Sequence, residues 1–182
     1  MIGLKGKNAL ITGAARQESV RRSLSDLFNK GATSPSITAH SLNLRQTRKR
    51  WHCKQPAEII KNCGVKSLLV QGDVSQKSDI VEMVNTVVKE FGNLDILVNN
   101  AGIQKESPSH EVTTANFDRV ITVNLWGADL CVLETIKHLL SLHRPGVIIN
   151  ISSVHKIIGR LMYISYSISK GGMENLTKTL AF

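Results

Sequence analysis

The sequence predicts an α/β fold with a doubly wound parallel sheet, and three observations carry that prediction. Short apolar segments alternate with helical ones; the apolar segments are hydrophobic throughout rather than at every second position; and Gly13, Asn99 and Ser152 fall where such segments end. Strands covered by helices on both faces read as continuous apolar runs, as a parallel sheet demands. In open sheets of this kind ligands bind beyond the carboxyl ends of the strands, where the strand order switches. Those three positions are therefore the first places to look for a site.

Each element has its own signal. Lys7 to Gly13 is a short apolar run closed by a glycine, a buried strand entering a turn. Ser67 to Val70 is a second clear strand; Ser75 then offers a helix cap, and Ile80, Val84, Val88 and Phe91 form the apolar stripe of a helix that Gly92 closes. Asp95 to Val98 is the next strand, Thr113 to about Leu142 holds one long or two short helices, and Gly146 to Ile151 is a further strand. Helix resumes near Tyr163. Leu125 and Trp126, as apolar residues on a helix, read as core rather than as an exposed partner patch.

At 182 residues the chain suits one domain, residues 1–182. No apolar run approaches a membrane span and the first residues lack a signal peptide's apolar stretch, so a cytoplasmic protein without membrane partners is expected. Cys53, Cys63 and Cys131 share no metal-like spacing, and free thiols without a metal are the expectation. The net charge of +9 is unevenly placed: Arg16 to Ala57 carries nine Lys or Arg against two acids. That segment shows no sustained helical or strand period, and residues 17–57 are expected to be an irregular basic stretch. Its cluster from Arg45 to Lys54 lacks sustained aromatic interleaving, so nucleic acid is not an expected partner.

The chemistry is concentrated in the C-terminal half. Tyr166 and Lys170 lie four apart on a helix and share a face, so the ammonium can favour a nearby phenolate and make the tyrosine a general acid or base. Ser153, just past a strand end, can donate to a carbonyl oxygen as negative charge develops on it. Alone, a Tyr-x-x-x-Lys pair is as easily a helix-surface pair, Asp73 a turn residue, and Asn99-Asn100-Ala101-Gly102 an ordinary turn. His155, two residues past the serine, could face substrate but reads as a solvated loop histidine.

Taken together, Asn99-Asn100-Ala101-Gly102, Asn124, Ile149-Asn150-Ile151-Ser152-Ser153 and Tyr166-Ser167-Ile168-Ser169-Lys170-Gly171-Gly172 resemble the short-chain dehydrogenase/reductase family. The likeness runs from Cys63 to Ala181 and looks closest to glucose 1-dehydrogenases, with 3-oxoacyl-carrier-protein reductases as near relatives. It implies an NAD(P)-dependent oxidoreductase of Rossmann-like fold acting on a small carbonyl/alcohol pair, and a homo-oligomer. The roles it implies are catalytic for Asn124, Ser153, Tyr166 and Lys170, with Asn124 holding a water in a proton relay. Thr12, Gly13, Asp73, Asn99, Ala101, Gly102, Tyr166 and Lys170 would bind cofactor, Asp73 accepting from the adenine amino group and Asn99, Ala101 and Gly102 lining the adenosine-ribose side.

Two departures accompany the resemblance. Gln17, Glu18 and Ser19 stand where the family's phosphate loop has two glycines and the residue between them; they bring bulk and a carboxylate that repels phosphate. Read from the third base of Gln17, the codons permit Gly-Ile-Gly-Gln-Ala-Ile-Ala, and across Ala32 to Ala39 they permit a second strand ending in a phosphate-recognising arginine. This predicts a shifted frame over about 17–57, a disrupted second strand, and NADP ancestry in preference to NAD. The stripe Met173, Leu176, Leu180 stops at Phe182 without a cap, which predicts that C-terminal strands of the family are missing. A catalytically inactive remnant of the fold is the alternative expectation.

Overall fold

The structure is a computed structural model, and it describes residues 6–13, 37–41 and 67–181. Five parallel strands are paired in one sheet: β1 (Ala9–Ile11), β2 (Ile37–Ser41), β3 (Ser67–Gln71), β4 (Ile96–Asn99) and β5 (Val147–Asn150). Their order is β3-β2-β1-β4-β5, with Leu10 opposite Leu97 and Val98 opposite Ile149. The order reverses between β1 and β4, so the carboxyl ends of those two strands frame the switch point of the predicted doubly wound sheet.

β2 corrects the expectation of a disrupted second strand. It pairs on both sides, Leu10 with Thr38 and Thr38 with Leu68, and therefore closes the gap between β1 and β3. Ladder pairing satisfies backbone groups whatever the side-chain pattern, and the β-branched Ile37 and Thr38 suit a strand, so five residues form one without any surrounding periodicity. The rest of the 17–57 segment, with Gln17, Glu18 and Ser19, lies outside the described residues.

The described helices follow the predicted alternation. α1 (Lys77–Phe91) buries Ile80, Met83, Val84 and Val87. It ends at Gly92, whose φ of +79° lets its N–H donate to the Val88 carbonyl at 2.8 Å. Ser75 is not its cap; the Ser75 hydroxyl donates to Asp73 instead. The long predicted helix is three contiguous pieces: α2 (Thr114–Ile121), a π-helical turn (Thr122–Trp126) and α3 (Gly127–Ser141). Thr113 caps α2 through its hydroxyl, which accepts from the Asn116 N–H. A 3₁₀ turn (Val154–Lys156) follows β5, and α4 (Ile164–Leu180) carries Tyr166 and Lys170. Leu10, Val74, Ile80, Leu97, Val123, Leu130 and Cys131 form the core that holds α1 and α3 against the sheet. Full burial contributes about 1.5–3 kcal/mol per large aliphatic side chain. Leu125 packs against Gly172 of α4, but Trp126 is 53% exposed, so its reading as a core residue is corrected: the π turn rotates it outward. No described helix is long and apolar enough to cross a membrane.

Candidate active site

The site is assembled where β1, β4 and β5 end. Thr12, directly after β1, is buried, and its hydroxyl oxygen accepts from the N–H groups of Asn100 and Ala101 at 3.1 and 3.0 Å. The Asn100 amide donates back to the Thr12 carbonyl at 2.8 Å. Gly13 completes this seam: its φ is +70°, and a Cβ there would lie 2.6 Å from the Ala101 Cα, so only glycine permits the approach. Thr12, Gly13 and Ala101 thus form one packed seam across the switch point, with Gly102 the next residue along.

Asn99 and Asp73 are committed differently. The Asn99 amide donates to the Ala128 carbonyl at 3.2 Å and to the Asn150 side chain at 2.9 Å, tying β4 to α3 and β5. The Asp73 carboxylate accepts from the Ser75 N–H and hydroxyl and from the Arg119 guanidinium at 3.3 Å. Burial pushes its carboxyl up, but the Ser75 hydrogen bonds and the Arg119 charge outweigh burial and hold it below its usual value. In the structure, then, both side chains first serve the fold, and Asp73 is an anchor for Arg119.

Asn124 lies inside the π turn and is fully buried. Its carbonyl oxygen accepts from the Ile103 N–H at 2.8 Å, and its amide donates to the Ile103 carbonyl at 2.9 Å and to the Ser169 hydroxyl at 3.0 Å. It therefore clamps the loop after β4 onto α4. π turns concentrate at functional sites, because the extra residue re-aims a side chain without ending the helix.

Lys170 is 4% exposed on α4 and donates to the Ile151 carbonyl at 2.6 Å. Its other polar neighbour is the Met173 sulfur at 3.8 Å. Burial pulls its pKa down from 10.5 to about 8, so the ammonium still predominates at neutral pH. The same nitrogen sits 5.8 Å from the centroid of the Tyr166 ring, within cation–π range. Ser153 starts the 3₁₀ turn, with its hydroxyl accepting from the His155 N–H at 3.3 Å. The His155 ring meets the Tyr166 ring edge-on, with centroids 6.3 Å apart, and its Nδ1 lies 3.2 Å from the Ile158 carbonyl.

The structure brings Tyr166, Lys170, Asn124 and Gly102 together: a Cβ on Gly102 would lie 3.5 Å from the Asn124 side-chain oxygen and 3.9 Å from the Lys170 nitrogen. Ser153 joins them through His155. His155 is thus no isolated solvated histidine, a correction that only its contacts reveal. Ser169 is a further residue the sequence reading passes over; its hydroxyl links Asn124 to the Tyr166 carbonyl. Among the described residues no group of His, Cys, Asp and Glu could hold a metal ion, and buried Cys131, its thiol pushed up to about 12, is no nucleophile.

Strand order and site together define a Rossmann-like α/β fold with a Ser, Tyr and Lys group beyond its switch-point strands. The chain belongs to the short chain dehydrogenase family, whose pattern matches residues 39–182. It is 34% identical over 179 residues to glucose 1-dehydrogenase 2 of Bacillus subtilis, covering 98% of this chain and 66% of that protein. It is 36% identical over 178 residues to 3beta-hydroxysteroid dehydrogenase 1 of Eggerthella lenta, covering 98% and 65%. The solved structure of NAD+-bound xylitol dehydrogenase superposes with a TM-score of 0.85 at 27% identity, covering 98% of this chain and 65% of that one. The chain therefore spans slightly under two thirds of the length of these relatives.

This family of oxidoreductases uses NAD or NADP, and the donor set can be tested against such a dinucleotide. Lys170 spends one donor on Ile151 and keeps others beside Gly102, whose missing side chain leaves them room, which suits a ribose diol. The buried Asn100 side-chain oxygen has no hydrogen-bond partner among the described residues and could accept from a ligand hydroxyl. These described residues fit the group.

Proposed function

We propose that the protein is a short-chain dehydrogenase/reductase that interconverts a small-molecule carbonyl and the corresponding alcohol. One observation carries the reading: a buried lysine, 4% exposed and with no carboxylate partner among the described residues, lies 5.8 Å from the centroid of the Tyr166 ring. A cation desolvated against a single backbone carbonyl, with no opposite charge to offset its burial, is a candidate for a group kept for function. The nicotinamide supplies or receives the hydride when bound.

The chain's own residues do the rest. Tyr166 gives its phenolic proton to the substrate oxygen in reduction and takes it back in oxidation, while the Lys170 charge stabilises the phenolate in between. The Ser153 hydroxyl donates to the same substrate oxygen and fixes its position. Asn124 holds Ile103 and Ser169, keeping the loop after β4 closed on α4, and supports a water-borne route for the proton. Lys170 would hold the nicotinamide ribose, and Thr12 and Gly13 the turn beneath the pyrophosphate. Asn99, Ala101 and Gly102 would line the adenosine-ribose side, and Asp73 would accept from the adenine amino group.

The glucose 1-dehydrogenase relative supports a sugar as substrate, and the arginine permitted by the shifted frame supports NADP over NAD. A homo-oligomer is supported by exposed Trp126 and Leu133 along one side of the α3 region. A cytoplasmic setting fits the absence of a membrane-length helix among the described residues. A second reading, a fold that no longer turns over, is favoured by Gln17, Glu18 and Ser19 at the phosphate loop. Fluorescence titration with NADPH and NADH, followed by oxidation of glucose and a panel of small alcohols, separates the two. Saturable binding with turnover supports the enzyme; binding or turnover at the level of a Lys170→Met, Tyr166→Phe double variant refutes it.

A further inference from the structure

The first turn of α4 is held from outside. The helix begins at Ile164 after Tyr163, with no side-chain hydrogen bond capping it. Its usual local stop is replaced by contacts to the loop that follows β4. The Tyr163 hydroxyl donates to the Glu106 carboxylate at 3.0 Å, and the Ser107 N–H donates to the Met162 carbonyl at 2.9 Å. Tyr163 itself is buried, with the Arg160 guanidinium 4.1 Å from its ring centroid. Its phenol is held above its ordinary value, first by the Glu106 hydrogen bond, so it remains a donor. Between these contacts Met162 has a φ of +71°, a left-handed conformation that a side chain disfavours by roughly 1–2 kcal/mol. Such a conformation persists only where its surroundings impose it.

Tyr163 stands one helical turn before Tyr166, and its carbonyl accepts the Ser167 N–H at 2.9 Å, an early hydrogen bond of the helix. Whatever fixes Tyr163 therefore fixes the start of the turn that presents Tyr166. The other side of the same loop is already fixed at Ile103 by Asn124.

We propose that Tyr163 and Glu106 are positioning residues: their hydrogen bond locks the first turn of α4 onto the loop after β4 and so places the Tyr166 phenol for proton transfer. This rests on the proposed function of Tyr166. Neither residue touches the reacting atoms. The hydrogen bond is charge-assisted and local, so its loss degrades the geometry of one group rather than the fold.

The test uses the full chain with Tyr163→Phe, Glu106→Ala and Glu106→Gln. Tyr163→Phe and Glu106→Ala are expected to lower kcat about 3- to 10-fold while the Kd for NADPH stays within about twofold, the loss expected for one such hydrogen bond. Glu106→Gln, whose carboxamide oxygen still accepts, retains at least about half of kcat on the same basis. Hydrogen exchange at the Ser167 amide accelerates about tenfold in Tyr163→Phe and Glu106→Ala, because the first turn opens more readily. Unchanged kcat in Tyr163→Phe, or Glu106→Gln as impaired as Glu106→Ala, overturns the proposal. A wild type without turnover overturns the proposed function instead; in that case unchanged Ser167 exchange overturns the clamp and accelerated exchange sustains it.

Discussion

Replacing Lys170 with methionine makes the buried ammonium measurable as a stability difference. The side chain is 4% exposed and its proton leaves at about pH 8 in the fold, against 10.5 for the unfolded chain. The sign follows from linkage. A depressed lysine is a burden that is fully present below about pH 8 and is relieved as the pH rises from there towards 10.5, where the unfolded chain binds more protons than the fold. In full that burden is about 3 kcal/mol, most of which is relieved between pH 7 and pH 10. Methionine keeps most of the volume and has no proton to lose. The unfolding free energy of the wild type minus that of Lys170→Met should therefore rise by about 2–3 kcal/mol from pH 7 to pH 10 and stay flat below pH 7. Urea unfolding followed by far-UV circular dichroism at four pH values gives the number. A flat difference across that range, or one that falls, would refute the desolvation argument and with it the view that Lys170 is kept charged at a cost to stability.

Three further outcomes follow from the geometry. Gly13→Ala combines a left-handed backbone with a Cβ 2.6 Å from the Ala101 Cα, and should destabilise the fold by about 2–4 kcal/mol in the same unfolding assay. Thr12→Val removes the acceptor of two buried N–H groups at Asn100 and Ala101 and should cost about 2–3 kcal/mol, whereas Thr12→Ser should keep most of the stability. Asp73, held below its usual value, contributes stability that is present above the unfolded carboxyl's pKa and is lost as the pH falls through the lower folded one. Asp73→Asn should therefore show a smaller loss of stability between pH 5 and pH 2 than the wild type.

The parts of the fold that announce themselves in the sequence are those whose burial is local and periodic. Ile80, Val84 and Val88 repeat at helical spacing, and the strands at β3, β4 and β5 are apolar runs, so α1 and most of the sheet are legible with boundaries within a residue or two. β2 is not, because its position is set by pairing with β1 and β3, and a ladder of backbone hydrogen bonds leaves no period in Ile37–Ser41. The π turn around Asn124 is likewise invisible, since Thr122–Trp126 reads as ordinary helix; the resemblance nominates Asn124, but its grip on Ile103 and Ser169 spans sequence separations of 21 and 45 residues. Tyr166 and Lys170 are legible as a pair because four residues on a helix bring them to one face. The seam from Thr12 to Asn100 joins positions 88 apart, and the Tyr163–Glu106 bond positions 57 apart. Contacts of that kind depend on which strands meet, which is settled only by the assembled sheet.

In the proposed reaction Tyr166, supported by Lys170, moves a proton while hydride passes between a nicotinamide and a carbonyl carbon. The direct measurement is to incubate the chain with NADH or NADPH deuterated at the transferable C4 position and a small aldehyde or ketone, and to look for deuterium in the alcohol by mass spectrometry. Deuterium is expected at the former carbonyl carbon, formed about 10²- to 10⁴-fold more slowly by Tyr166→Phe. Label no higher than in a protein-free blank, or equal rates from wild type and Tyr166→Phe, would contradict it.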